Sequence, residues 1–171
     1  MTDTTQSQND VSHIWTRVYT GWLKTGLLSG LGAGLVALVF GAFLANLIHR
    51  EATYPAKLIG AVWVGAEALQ LGSFNSGALA GLVIHFTLSA FFGLVFAQFI
   101  SERSRKGSLV FLSLLGGVAV WLFWSMMFLP SFNPTMASLL PKTISLLLHF
   151  VFGLSFGLFI VMLRPMLCKL R

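Results

Sequence analysis

Residues 77–98 read GALAGLVIHFTLSAFFGLVFAQ, twenty-two positions with no charge and a single histidine, His85. Every fourth position picks out a column of small side chains: Gly77, Gly81, then His85, then Ser89, Gly93 and Ala97. Phe, Leu, Ile and Val fill most of the remaining places. A run this long and this apolar reads as a membrane-crossing helix, and small residues at every fourth place let a second backbone approach closely. The column recurs 64 residues later as Ser145, His149, Gly153 and Gly157. Around it, His85-Phe86 and Phe92-Gly93-Leu94 are matched by His149-Phe150 and Phe156-Gly157-Leu158.

The whole chain shares this character. Apolar residues make up 56% and charged residues 9%, where soluble domains carry about 25% charged. So few charges cannot coat a water-facing surface, and lipid must be the solvent for much of the chain. The net charge is +6, but the cations sit in short clusters between apolar runs. That is the pattern of membrane-topology signals rather than of a phosphate-binding face, so a nucleic-acid partner is not expected. One cysteine, Cys168, excludes an internal disulfide and a multi-cysteine metal site. No Ser/His/Asp set, phosphate loop or zinc motif is present, so no catalytic residue and no metal site is assigned.

Residues 1–20 read as a disordered cytoplasmic tail and interfacial lead-in, polar at first and then carrying Trp15 beside Arg17. Residues 21–171 form a single four-helix transmembrane domain. The first span, about 25–48, would be about 36 Å long and is too long for the apolar core of a signal peptide. It has its own column, Gly26, Gly30 and Gly34. Tyr54-Pro55 is a natural helix start, and residues 56–71 predict a short amphipathic helix in the first outer loop, anchored by Trp63 and interrupted by Lys57 and Glu67. A re-entrant segment is the alternative. The remaining spans fall at about 77–100, 108–129 and 142–163. The charged loop Ser101–Gly107 separates the second from the third, Pro130 and Pro134 mark the next exit, and Arg164-Pro165 ends the last.

Eight of the eleven lysines and arginines lie before the first span, in the 101–107 loop or in the C-terminal tail. This excess puts both termini in the cytoplasm of a bacterial inner membrane. Spans two and four then run the same way, and the chain is an all-α membrane protein of two parallel-repeat hairpins related by a pseudo-twofold axis. Spans one and three match loosely, through Gly32-Ala33-Gly34 and Gly116-Gly117. The expected tight crossings are Gly81–Ser89 and Ser145–Gly153. His85 and His149 come to similar depth, roughly 11–12 Å below the outer boundary, where the axis can bring them face to face.

A histidine within a span is a functional candidate, because an unpartnered imidazole is expensive in hydrocarbon. Each ring can clip the bundle by bonding a serine or carbonyl of a neighbouring helix. Alternatively, His85 and His149 can serve as the axial ligands of a b-type haem, with the glycines making room for the macrocycle. No carboxylate continues a proton path in spans two to four. Met126-Met127 beside Trp124 reads as gap-filling rather than a copper site. The basic run Arg103-Ser104-Arg105-Lys106 fits anionic lipid. The role that follows is a structural or accessory subunit of a membrane assembly, held in the bilayer, without an enzymatic site or required cofactor. Its partners are further copies docked through the glycine columns, or a larger complex. The alternatives are a haem-binding electron-transfer subunit and a small transporter or permeation protein.

The glycine-rich first span (Gly26 to Gly41), the segment ending Phe92-Gly93-Leu94-Val95-Phe96-Ala97, the Leu129-Pro130 exit followed by Pro134, and the closing Leu148-His149-Phe150 with Gly153 and Gly157 resemble the YagU-like family of uncharacterised bacterial inner-membrane proteins. The resemblance covers roughly residues 24–163. It implies a multi-pass inner-membrane protein and carries no established chemistry.

Overall fold

A computed structural model describes residues 4–49, 51–70, 74–99 and 104–167, with side chains from residue 21 to 165 apart from His49. The expectations for the tail side chains, Arg103 and Cys168 fall outside these residues. The described chain is almost entirely helical and, among the described residues, has no strand: α1 Thr4–His49, α2 Tyr54–Val64, a 3-10 turn Ala66–Leu69, α3 Ser76–Gln98, α4 Lys106–Leu122, a π-helical stretch Phe123–Phe128, α5 Leu129–Phe132, α6 Pro134–Leu139 and α7 Lys142–Leu167. Four segments are long and apolar enough to cross a membrane: Gly21–Ile48, Ser76–Gln98, Lys106–Phe132 and Lys142–Pro165. Only 17 to 28% of the most apolar window of each is buried within the protein. Large apolar side chains such as Val39, Phe43, Val83 and Phe91 therefore point outward, as lipid-facing positions require.

Three helix limits differ from the expectation. The first helix starts at Thr4 and runs through the stretch read as a disordered tail and lead-in; residues 4–20 contain neither proline nor glycine to break it. The third span does not stop at Pro130 but continues to Phe132. Pro130 has no N–H to donate, and the wider π turn just before it accommodates that defect without ending the helix. In the same way α7 runs past Pro165 to Leu167, a proline of the kind that apolar helices tolerate in lipid.

The helices lie side by side in the order α2, α3, α1, α7, α4. The small-residue column of α3 explains how one helix serves two neighbours. Four residues advance about 400° around a helix, so the column drifts about 40° per step. At its start, Gly77 and Gly81 meet Ala68, Ala56 and Gly60 from α2 and the turn after it; further down, Ser89, Gly93 and Ala97 meet Gly26, Gly30 and Gly34 of α1. A Cβ on Gly30 would lie 2.8 Å from the Gly93 Cα, and one on Gly93 2.9 Å from the Gly30 Cα. Backbones this close exclude any side chain. The α4–α7 contact is built likewise, with Gly117 against Gly153 and the His149 carbonyl, and Gly157 against Val110 and Ser113.

The column in the second span thus crosses α2 at Gly77–Gly81 and α1 at Ser89–Ala97, where a single crossing was expected over Gly81–Ser89. Helix α2 is shorter than the expected 56–71 helix. It ends at Gly65, whose φ of 94° suits a residue without a Cβ. Rather than lying free on a surface, it buries Ala56, Lys57, Gly60, Ala61 and Val62, while Trp63 stays half exposed with its ring 5.2 Å from Phe132. Two apolar clusters result. One joins Ala33 and Ala37 to Phe152, Phe156 and Ile160 in the middle of the bundle. The other joins Ala61, Val62 and Ala68 to Leu129 and Met136 under α6.

Candidate functional site

Between the middle cluster and the α2 end of the bundle, the helices separate around one cavity of about 210 Å³. Helix α1 contributes Ala37, Gly41 and Ala45, and α2 contributes Tyr54, Pro55 and Ile59. From α3 come His85, Ser89 and Phe92, from the third span Val120 and Trp124, and from α7 Ser145, Leu148 and His149. The walls are apolar apart from a few side chains, and no carboxylate lines them. The cavity brings the two sequence-predicted histidines together. Its floor is aromatic: Phe92 and Phe152 line it, and Phe156 lies beneath, with Phe152 and Phe156 rings stacked 6.2 Å apart.

The two rings are held differently. His85 Nε2 donates to the Gly34 carbonyl at 2.9 Å, across the α3–α1 crossing. The bond depends on glycine at position 34, because a Cβ there would come within 2.7 Å of the Ser89 side chain and 3.5 Å of His85 Nε2. His149 Nδ1 donates to the Ser145 carbonyl at 2.8 Å, one turn earlier on its own helix. So His85 clips two helices in the manner expected of both, whereas the His149 bond orients its ring without joining neighbours. A carbonyl oxygen only accepts, which fixes the protonated nitrogen in each ring: Nε2 in His85 and Nδ1 in His149.

Among the described residues no three of His, Cys, Asp or Glu gather into a metal-binding group. The other predicted packing residues lie outside the cavity. Gly26, Gly30 and Gly93 are at the α1–α3 crossing below it, Gly153 and Gly157 face α4, and Gly77 and Gly81 face α2. Met126 and Met127 are exposed.

One polar centre escaped the reading of the sequence. Lys57, there an interruption of the outer helix, is completely buried. Its ammonium donates to Glu51 Oε1 and, at 2.7 Å, to the Gln70 carbonyl. Thr53 Oγ1 also donates to Glu51 Oε1, at 2.7 Å. The pair ties the loop leaving α1 to α2 and to the segment after the 3-10 turn. Its sequence signal was a lysine two residues into a proline-started helix and six after a glutamate. At the opposite end, Arg164 donates to the Ser104 carbonyl at 3.0 Å and lies 5.8 Å from the Trp22 ring centroid. A charge counted for topology thus also fastens α7 to α1 and to the start of α4.

No family model, curated protein or solved structure matches this chain.

Proposed function

We propose that the protein is a membrane-embedded binding protein for a small apolar molecule, with the cavity between α1, α2, α3 and α7 as its site. The observation that carries this is the convergence of both span histidines on one apolar cavity. An apolar pocket with a few placed polar groups is the form that small-molecule sites take. Such a role suits an accessory subunit of a membrane assembly, whether as a homo-oligomer or within a larger complex.

The finer topology belongs to the same proposal. Two parallel-repeat hairpins are supported by matched contacts: Gly34 meets Ser89 and His85 on α3, as Gly117 meets Gly153 and the His149 carbonyl on α7. Helix α2, on the flank of α3, is an addition to the first hairpin. The cation counts place the α2 end outside and the Arg164 end in the cytoplasm of a bacterial inner membrane, so the cavity sits in the outer leaflet.

The two rival roles meet obstacles in the same geometry. A haem held by the two rings would have to take His85 through Nδ1, the nitrogen nearer the backbone, because Nε2 donates to the Gly34 carbonyl. The volume of about 210 Å³ also falls below the ~300–1,000 Å³ of cofactor-sized pockets. A transport path would have to pass the apolar cluster of Ala33, Ala37, Leu109, Phe156 and Ile160 beneath the cavity. The proposal is tested by thermal unfolding of the purified protein with a panel of small apolar compounds such as indole and naphthalene. A ligand that fills the cavity raises the midpoint in a concentration-dependent way, and Leu44→Trp, which fills it from α1, removes the rise. Absence of any such rise in the wild-type protein would refute the proposal.

A further inference from the structure

The backbone bonds of the two histidines define what kind of ligand the cavity takes. Each ring has one nitrogen committed as a donor to a carbonyl, Gly34 for His85 and Ser145 for His149. With no carboxylate lining the cavity to balance an imidazolium, the site is built for neutral rings. A neutral ring that donates through one nitrogen carries its lone pair on the other. The acceptors that the two rings keep for a ligand are then His85 Nδ1 and His149 Nε2. A molecule that brings only acceptors, such as a quinone or an ester, leaves both unmatched, whereas one that brings an O–H answers them. A buried polar group without its partner is penalised enough to decide between such ligands.

Size narrows the class further. An apolar cavity of about 150 Å³ takes up benzene, so about 210 Å³ holds one substituted ring. The wall around the histidines suits such a ring: Phe92, Phe152 and Trp124 are aromatic, and Leu88, Ile144 and Leu148 are aliphatic. We infer that the cavity binds a hydroxyl-bearing single-ring compound, a phenol or quinol, whose O–H donates to a histidine and whose ring lies among the aromatic and aliphatic walls. The inference rests on the cavity being a ligand site.

The test compares 4-propylphenol with 4-propylanisole, which differ by methylation of the oxygen and hence by the loss of the donor. Binding to the full-length protein in nanodiscs is measured by equilibrium dialysis, with empty nanodiscs subtracted to remove partition into lipid. The expected result is saturable binding of the phenol and at least roughly tenfold weaker binding of the ether, the scale of one buried hydrogen bond. His149→Phe, which gives up only a bond within its own helix, should weaken the phenol roughly tenfold and leave the ether unchanged. Equal binding of phenol and ether to the wild-type protein would overturn the hydroxyl requirement while leaving a ligand site in place. An equal fall of both compounds in His149→Phe would also overturn it. Saturable binding of neither compound would remove the site itself. A third probe, 4-dodecylphenol, separates the sources of such a ligand: competition by it supports a lipid-borne quinol or phenol, and its exclusion supports a free one.

Discussion

Lys57 and His85 are polar residues in apolar surroundings, and each is explained by the partner it holds. Lys57 is fully buried against the Glu51 carboxylate and the Gln70 carbonyl. Lys57→Ala deprives the Glu51 carboxylate and the Gln70 carbonyl of the ammonium they share, and the loss of one member of a buried pair should destabilise the protein by up to about 3 kcal/mol. Glu51→Gln keeps an acceptor for the ammonium and should cost less. Unfolding midpoints in detergent micelles check both; equal effects would show that the ammonium needs the carboxylate charge and not merely an acceptor oxygen. His85 bonds the backbone of α1, and His85→Phe should cost about 1 kcal/mol, the scale of interhelical bonds in membrane proteins. His149→Phe should cost less, because its bond lies within α7. Both histidines were legible in the sequence from their place among small residues. Lys57 was not, because hydropathy reads a lysine as an interruption and cannot see a partner that the chain folds back to supply.

At the scale of the helices, contact is set by the absence of side chains. A Cβ on Gly60 would collide with the Gly77 carbonyl, and one on Gly117 with the His149 carbonyl. Gly60→Leu should therefore separate α2 from α3, and Gly117→Leu should open the α4–α7 contact. Each should lower the unfolding midpoint clearly, or prevent accumulation in the membrane. Gly107→Ala is the control. Nothing lies within 4 Å of a Cβ at that position, and alanine is favoured over glycine within a helix, so the midpoint should hold or rise slightly. A marked loss there would mean that an unseen neighbour occupies the start of α4. The glycine columns could be read directly, but not the partner each would meet. An i+4 column rotates along its helix, and which neighbour stands at each height depends on how the other helices are arranged.

For the whole molecule, four apolar spans and their charged connections define an orientation that can be tested. With Cys168 replaced by serine, Ser138→Cys in α6 should react with an impermeant maleimide added to intact cells. Lys106→Cys at the start of α4 should react only after the membrane is opened. The reverse pattern would invert the topology. Both positions are exposed in the folded protein, so burial does not confound the labelling.

The sequence alone determined that the chain is helical and built of four membrane-length apolar segments, and it pointed to His85, His149 and the glycine columns. These follow from local properties: the length of an apolar run, the spacing of small residues, and the scarcity of charge. Only the tertiary structure decided that α2 docks against α3, that Lys57 is buried with Glu51, that the third span continues past Pro130, and that the two histidines line one cavity. Each of these depends on groups distant in the chain, or on a helix deforming locally to keep its backbone bonds, and periodicity records neither. A cavity in particular has no residue of its own. It is the space left where close-packed helices diverge, and it comes into being only when their crossings are fixed.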